Sequence, residues 1–326
     1  MFFITGCNGL VGSYIARKLL IEGEKVTALK RAESDLTLVA DIADQITWVE
    51  GDVLDITRLQ QIIEEGSTVI HAAAMVSFDP KAKKQLFKVN VEGTANMVNV
   101  CLQKKVAHFL QVSSVASLGR SKEKIHMDET SKWENSSLNT LYAQSKYLAE
   151  MEVWRSIAEG LPAVIINPSV VLGVGDWHKS SAQLFKYVYD KKPFYATGSV
   201  NYVDVRDVAD IAFQLLAKKT IGERFVVSAN STNYQTLFTA IAQRFEVKPP
   251  TIKVTPLLAA LAWRVSKLQH WLTGKPPFIT KETAQLSQLT YHYENEKVKQ
   301  HLDFTFRTLE ETLNWACPAL MKKYTT

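Results

Sequence analysis

The chain has 326 residues, 46% hydrophobic and 22% charged, with a formal net charge of +5. That length suits one large α/β unit or two intimate domains, and the ordinary composition excludes a disordered or fibrous protein. The positive charge is scattered over pairs such as Lys83-Lys84, Lys104-Lys105 and Lys191-Lys192 instead of forming a stripe, so no nucleic-acid partner is expected.

Cys7, Cys101 and Cys317 are odd in number and far apart. Neither a disulfide framework nor a metal site is expected, and a reducing, cytoplasmic setting fits. The first strand is expected to begin at Phe2, so no signal peptide is expected. The longest fully apolar run, Pro256 to Trp263, is too short to span a bilayer.

The apolar start Met1 to Ile4 leads into Thr5-Gly6-Cys7-Asn8-Gly9-Leu10-Val11-Gly12 and then an amphipathic helix, Leu10 to Ile21. Strand, glycine turn and helix place free backbone N–H groups against a pyrophosphate. Gly6 would permit the tight turn, Gly9 the approach of backbone to phosphate, and Gly12 close helix packing. A second strand, Glu24 to Lys30, ends in Lys30-Arg31 with Ser34 just beyond. An acid there would accept from the ribose 2′-OH of NAD; two cations instead favour the 2′-phosphate of NADP(H), with NAD(H) left possible.

Ile46 to Glu50 reads as a third strand followed by Asp52 and Val53, where a carboxylate can accept from the adenine amino group. Thr57 to Glu64 is a helix. Thr68 to His71 is a strand running into Ala72-Ala73-Ala74, three small residues that let a cofactor lie close. His71 has no second ligand at metal spacing, so packing beneath the cofactor is its expected role. A long helix, Lys84 to Lys104, carries Asn90 and Gly93. Ala107 to Val112 is a strand ending in Ser113-Ser114. After an irregular loop, Gly119 to Asn139, Tyr142-Ala143-Gln144-Ser145-Lys146 opens a helix to about Glu159, and Leu161 to Asn167 is another strand. The alternation predicts a Rossmann-type, doubly wound parallel sheet.

Beyond Pro168-Ser169 the pattern loosens. Val170 to Trp177 reads as a glycine-rich loop, and helices are predicted over 180–190, 234–245, 256–272, 280–289, 295–302 and 308–315. The domain reading is a nucleotide-binding domain over 1–168, rejoined by 201–229, with a smaller, mostly helical substrate lobe over 169–200 and 230–326. Met75, Phe78, Trp177 and Tyr202 are candidates for an apolar substrate pocket, with Phe185 beside them. The 256–272 helix could rest on a membrane surface, but packing within the lobe is expected.

Tyr142 and Lys146 lie four apart on one helix face. A phenol titrates near pH 10, and a nearby ammonium brings it toward working range. Ser114 can donate to the same substrate oxygen. A hydride donor facing a phenol proton donor is the requirement for carbonyl reduction.

The order of glycine loop, Ser-Ser strand end and Y-x-x-x-K resembles the extended or atypical short-chain dehydrogenases/reductases. Within them it resembles the NAD(P)-dependent epimerase/dehydratase family, on the branch holding dihydroflavonol reductase and 3β-hydroxysteroid dehydrogenase. The resemblance implies Ser114, Tyr142 and Lys146 as catalytic residues, with Lys146 also on the nicotinamide ribose. It further implies Asn90 as support for the lysine, Asn167, Pro168 and Ser169 beside the nicotinamide, and a homodimer. Ser117-Leu118-Gly119, Asn167-Pro168 and Lys30-Arg31 depart from the sugar-nucleotide members. The expectation is therefore an NADPH-dependent reductase of a small, fairly apolar aldehyde or ketone. Two alternatives remain: a nucleotide-sugar epimerase/dehydratase with tightly held dinucleotide, and a non-enzymatic NADP sensor.

Overall fold

A computed structural model describes residues 1–121, 125–255, 258, 263–264 and 281–325. The first part builds β1 (Phe2–Thr5), α1 (Leu10–Ile21), β2 (Val26–Lys30), β3 (Ile46–Glu50), α2 (Ile56–Ile62) and β4 (Thr68–His71). Next come α3 (Lys83–Phe87), a π-helical turn (Lys88–Glu92), α4 (Gly93–Gln103), β5 (His108–Val112), β6 (His126–Met127), α5 (Leu141–Ala158) and β7 (Ala163–Pro168). The rest contains β8 (Val170–Leu172), α6 (Gln183–Tyr189), β9 (Phe194–Tyr195), β10 (Ser199–Asp204), α7 (Val205–Ala217) and β11 (Glu223–Val227). Last are β12 (Asn230–Asn233), α8 (Tyr234–Arg244), β13 (Ile252–Lys253), α9 (Lys281–Leu286), β14 (His292–Tyr293), α10 (Glu296–Leu302) and α11 (Leu309–Thr325).

Seven strands pair in the order β11-β7-β5-β4-β1-β2-β3, all parallel. Helices cover both faces, so the central strands are apolar throughout; every residue of β7 is buried. Ile15 and Leu19 of α1 meet Ile211 and Leu215 of α7 on one face. Leu59, Met97 and Val153, from α2, α4 and α5, pack on the other. The strand order reverses between β1 and β4, and ligands bind at the carboxyl ends of such a switch point.

A smaller sheet, β12-β10-β8, lies in the C-terminal lobe. The predicted loop at Val170 thus begins with a strand, and residues 199–204 belong to this sheet, so the chain rejoins the large one through α7 and β11. Strands of three and four residues whose partners lie far along the chain carry too little periodicity to read. The lobe core gathers Phe185, Tyr202, Phe238 and Leu313. The predicted 84–104 helix is interrupted by the π-helical turn at Asn90. The helix read over 256–272 lies outside the described residues apart from 258, 263 and 264. Among the described residues, no helix is long and apolar enough to cross a membrane.

The outer edge of β11 is laced to its neighbours. Val226 N donates to Glu129 Oε1 at 2.7 Å, and Lys297 Nζ donates to the Arg224 carbonyl at 3.0 Å. The Arg224 guanidinium donates to the carbonyls of Glu129 and Ser131 at 2.6 and 2.8 Å.

Candidate active site

The glycine loop is shaped by exclusion. Gly6 has φ +72°, and a Cβ there would stand 2.6 Å from the Ala73 amide nitrogen. A Cβ on Gly12 would stand 2.2 Å from the Gly6 carbonyl oxygen, so this glycine packs the helix on the loop itself. Gly9 caps α1, is exposed, and leaves the helix start without a side-chain cap. The first-turn amides, including those of Leu10 and Val11, can therefore meet a ligand, and this cradle fits a pyrophosphate. Asn8 Nδ2 donates to the Asp35 carbonyl at 3.2 Å.

Beneath the loop, Thr5 Oγ1 lies 2.6 Å from His71 Nδ1 and accepts from the Ala73 amide at 3.3 Å. His71 Nε2 lies 3.2 Å from Thr94 Oγ1. Burial pushes the imidazole down to about 3, so His71 is a neutral hydrogen-bonding spacer. Cys7 is fully buried and its thiol is pushed up to about 12, which makes it a packing residue.

Thr140 caps α5 by accepting from the Ala143 amide at 3.0 Å, and this starts the helix immediately before Tyr142. The half-buried Tyr142 hydroxyl is hydrogen-bonded to Ser114. Burial raises its pKa; the Ser114 bond and the Arg120 cation oppose that rise. Lys146 donates to the Val112 carbonyl at 2.9 Å, and burial pushes it down to about 8 against the pull of Glu150. Phe78 packs edge-on against Tyr142, ring centres 6.0 Å apart.

Glu150, one turn beyond Lys146 and 1% exposed, ties this corner together. It accepts from Ser113 Oγ at 2.8 Å, Ser117 Oγ at 2.7 Å, Asn167 Nδ2 at 2.9 Å and the Arg224 guanidinium at 3.0 Å. Ser113 is thereby turned away and Ser114 left to Tyr142. Asn167 Nδ2 also donates to the Ser114 carbonyl at 3.1 Å, and Ser117 Oγ lies 2.8 Å from the same oxygen. Asn90 serves a different end: its amide exchanges two hydrogen bonds with the Met75 backbone and donates to Ser145 Oγ at 3.0 Å.

A helix start without a side-chain cap and a tyrosine paired with Ser114 thus stand at the carboxyl edge of one sheet. The NAD dependent epimerase/dehydratase family profile matches residues 2–228. The chain belongs to this family. A Synechocystis sp. protein provisionally named dihydroflavonol 4-reductase is 30% identical, covering 96% of this chain and 92% of the relative. Cinnamoyl-CoA reductase 1 of Oryza sativa subsp. japonica is 25% identical, with 98% and 90% covered. The crystal structure of gox2253 superposes with a TM-score of 0.84 at 28% identity, over 99% of this chain and 98% of that one. Like its relatives, this epimerase/dehydratase-family member is an NAD(P)-dependent enzyme of the oxidoreductase type.

In this family member, several sequence-derived candidates are engaged elsewhere. Trp177 is 5% exposed and stacks on Tyr324 at 4.4 Å, and Tyr202 is 6% exposed in the lobe core with its hydroxyl on the Leu309 backbone. Both are packing residues, because α11 extends to Thr325 and covers them. Asn167 turns its amide nitrogen to Ser117 and Glu150 instead of the strand edge. Asp52 Oδ1 accepts from the Leu54 amide at 2.9 Å, and Val53 packs against Gly93. Arg31 is exposed, and its backbone amide donates to Ser34 Oγ at 3.0 Å. Pro168 ends β7, and Ser169 Oγ is buried with no partner among the described residues. Arg120 and Glu150 escaped the sequence reading; Glu150 left a signal, an acid four residues after Lys146 on the buried stripe of α5.

Proposed function

We propose that this enzyme reduces a small, largely apolar aldehyde or ketone with NADPH. The pairing of Ser114 with the Tyr142 hydroxyl, at the carboxyl edge of the sheet that also carries the glycine loop, is the observation that supports this most. NADPH, when bound, supplies the hydride. Ser114 and Tyr142 would hold the carbonyl oxygen, and Tyr142 would give up its proton as the oxygen becomes an alkoxide. The Arg120 cation favours the resulting phenolate, and Lys146, one turn along α5, would add to that. Thr5, Gly6, Asn8, Gly9, Leu10, Val11 and Gly12 would cradle the pyrophosphate. Lys30 and Arg31 would take the 2′-phosphate, and Asp52 and Val53 the adenine. Ala72, Ala73, Ala74, Pro168 and Ser169 would wall the nicotinamide, with Lys146 on its ribose. Asn90 and Asn167 act as positioning residues for Met75 and Ser114. Met75 and Phe78 would line the substrate side.

Fluorescence titration of the apoprotein with NADPH and NADH tests the cofactor. NADPH should bind at least tenfold tighter, a difference of about 1.4 kcal/mol. NADPH consumption with an aldehyde and ketone panel tests the reaction. Tyr142→Phe should lower turnover about 10²- to 10⁴-fold while still binding NADPH. Equal NADH binding would overturn the cofactor assignment. A dinucleotide that survives dialysis, with no net NADPH consumed, would favour an epimerase or dehydratase. Dinucleotide binding with no turnover of any kind would favour a sensor.

A further inference from the structure

Arg120 stands within electrostatic reach of the Tyr142 phenol. Arg17, Arg155, Arg206, Arg224 and Arg307 each hold a carboxylate. Arg120 is half-buried, and among the described residues its guanidinium has no carboxylate partner; it lies 5.9 Å from the Tyr291 ring centre. Taking a guanidinium partly out of water without an anion is unfavourable, so a cation in this position is normally completed by a partner or ligand.

The surroundings are built to hold it there. Gly119, at φ +77°, turns the chain after the Val115–Leu118 turn that begins at Ser114. The Arg120 amide then donates to Asn139 Oδ1 at 2.8 Å, three residues before Tyr142. Tyr291 Oη donates to the Ser121 carbonyl at 3.2 Å, bracing the same loop from the other side. The guanidinium lies within electrostatic reach of three phenols: Tyr142 on α5, Tyr234 at the start of α8, and Tyr291 before β14. A half-buried guanidinium with no carboxylate partner among the described residues offers its planar fork to an anion. Burial raises the Glu282 carboxyl above its ordinary range, opposed by a hydrogen bond from the Leu141 backbone.

We propose that Arg120 anchors a negatively charged group of the substrate, a carboxylate or a phosphate, while Tyr142 and Ser114 hold its carbonyl. The substrate class narrows to carbonyl compounds with an apolar body, set against Phe78, and an anionic end. This proposal rests on the reductase reading.

The test pairs charged and neutral carbonyl compounds of the same skeleton. Para-carboxybenzaldehyde is compared with its methyl ester, and glyceraldehyde phosphate with glyceraldehyde. Binding to the NADPH-loaded enzyme is measured by calorimetry, and kcat/KM by NADPH consumption. The wild type should favour the anionic member of at least one pair by about tenfold or more, as expected for a hydrogen bond to a charged group. The pair that responds separates carboxylate from phosphate. Arg120→Gln should bring the charged-to-neutral ratio within about twofold, and Arg120→Lys should restore part of it. A wild type that binds charged and neutral members equally overturns the proposal without any variant. So does an Arg120→Gln enzyme that keeps the ratio. Selective anion binding without turnover supports the anchor and overturns the reductase reading. Turnover without charge preference does the reverse.

Discussion

At the glycine loop the backbone is fixed by what cannot fit, since methyl groups on Gly6 or Gly12 would stand 2.6 and 2.2 Å from backbone atoms. At the tyrosine corner it is fixed by what must be satisfied, since one buried carboxylate, Glu150, accepts from two serines, an asparagine and an arginine. The first device uses no charge and tolerates no added atom. The second tolerates some change of shape but not the loss of an acceptor. On the proposed reading the loop would admit a ligand's phosphates to bare amides, and side chains are kept out. The corner must hold two hydroxyls in register, so side chains are interlocked.

Removing the acceptor should have the largest effect. Glu150→Ala should lower unfolding free energy by about 3–5 kcal/mol, because the Arg224 cation, only 16% exposed, and three neutral donors lose a shared acceptor. Glu150→Gln keeps an oxygen and should recover part of the loss. Urea denaturation of both variants measures this, and equal losses would mean that shape, not acceptance, holds the corner. Gly12→Ala should cost about 3 kcal/mol, near the top of the range for overpacking, because its neighbour is backbone and cannot rotate away. A Gly12→Ala protein with wild-type thermal stability and dinucleotide affinity would break the contrast.

The seam between the two regions carries a pH signature. His71 titrates at about 3 in the fold against 6.5 when unprotected. The unfolded chain therefore takes up the proton first. The contribution is full above pH 6.5 and is lost as pH falls toward 3, at about 1.4 kcal/mol per pH unit. His71→Gln should flatten the stability curve by that slope between these limits, and parallel curves for the two proteins would refute it. The smallest effect belongs to the exposed rim. Arg31→Ala should shift the NADPH-to-NADH affinity ratio by about tenfold, with stability unchanged within about 0.5 kcal/mol.

The sequence showed the first region well and the second only in part, for the same physical reason. Glycines that exclude Cβ atoms, and a tyrosine and lysine four apart on a helix, act over a few residues, so their spacing is visible. Glu150 meets Ser113, Asn167 and Arg224 through side-chain distance alone, across separations of 17 to 74 residues. Arg120 stands in an aperiodic loop whose meaning depends on Tyr234 and Tyr291, far along the chain. Trp177 and Tyr202 look like pocket aromatics until α11 is folded onto the lobe. The seven-stranded sheet was legible because strands buried on both faces are continuous apolar runs. The three-stranded one was not, because its outer members are short and paired at long range.

The laced border of β11 has a consequence for how the protein behaves in a crowded solution. A parallel sheet ends in a strand whose outward amides and carbonyls can template pairing with another chain. Here Glu129 takes the Val226 amide and Lys297 takes the Arg224 carbonyl. The same arginine that steadies Glu150 inside also binds the loop that covers the border outside. Loosening Arg224 would therefore uncover an adhesive strand as well as disturb the site, and lost activity and aggregation would arrive together.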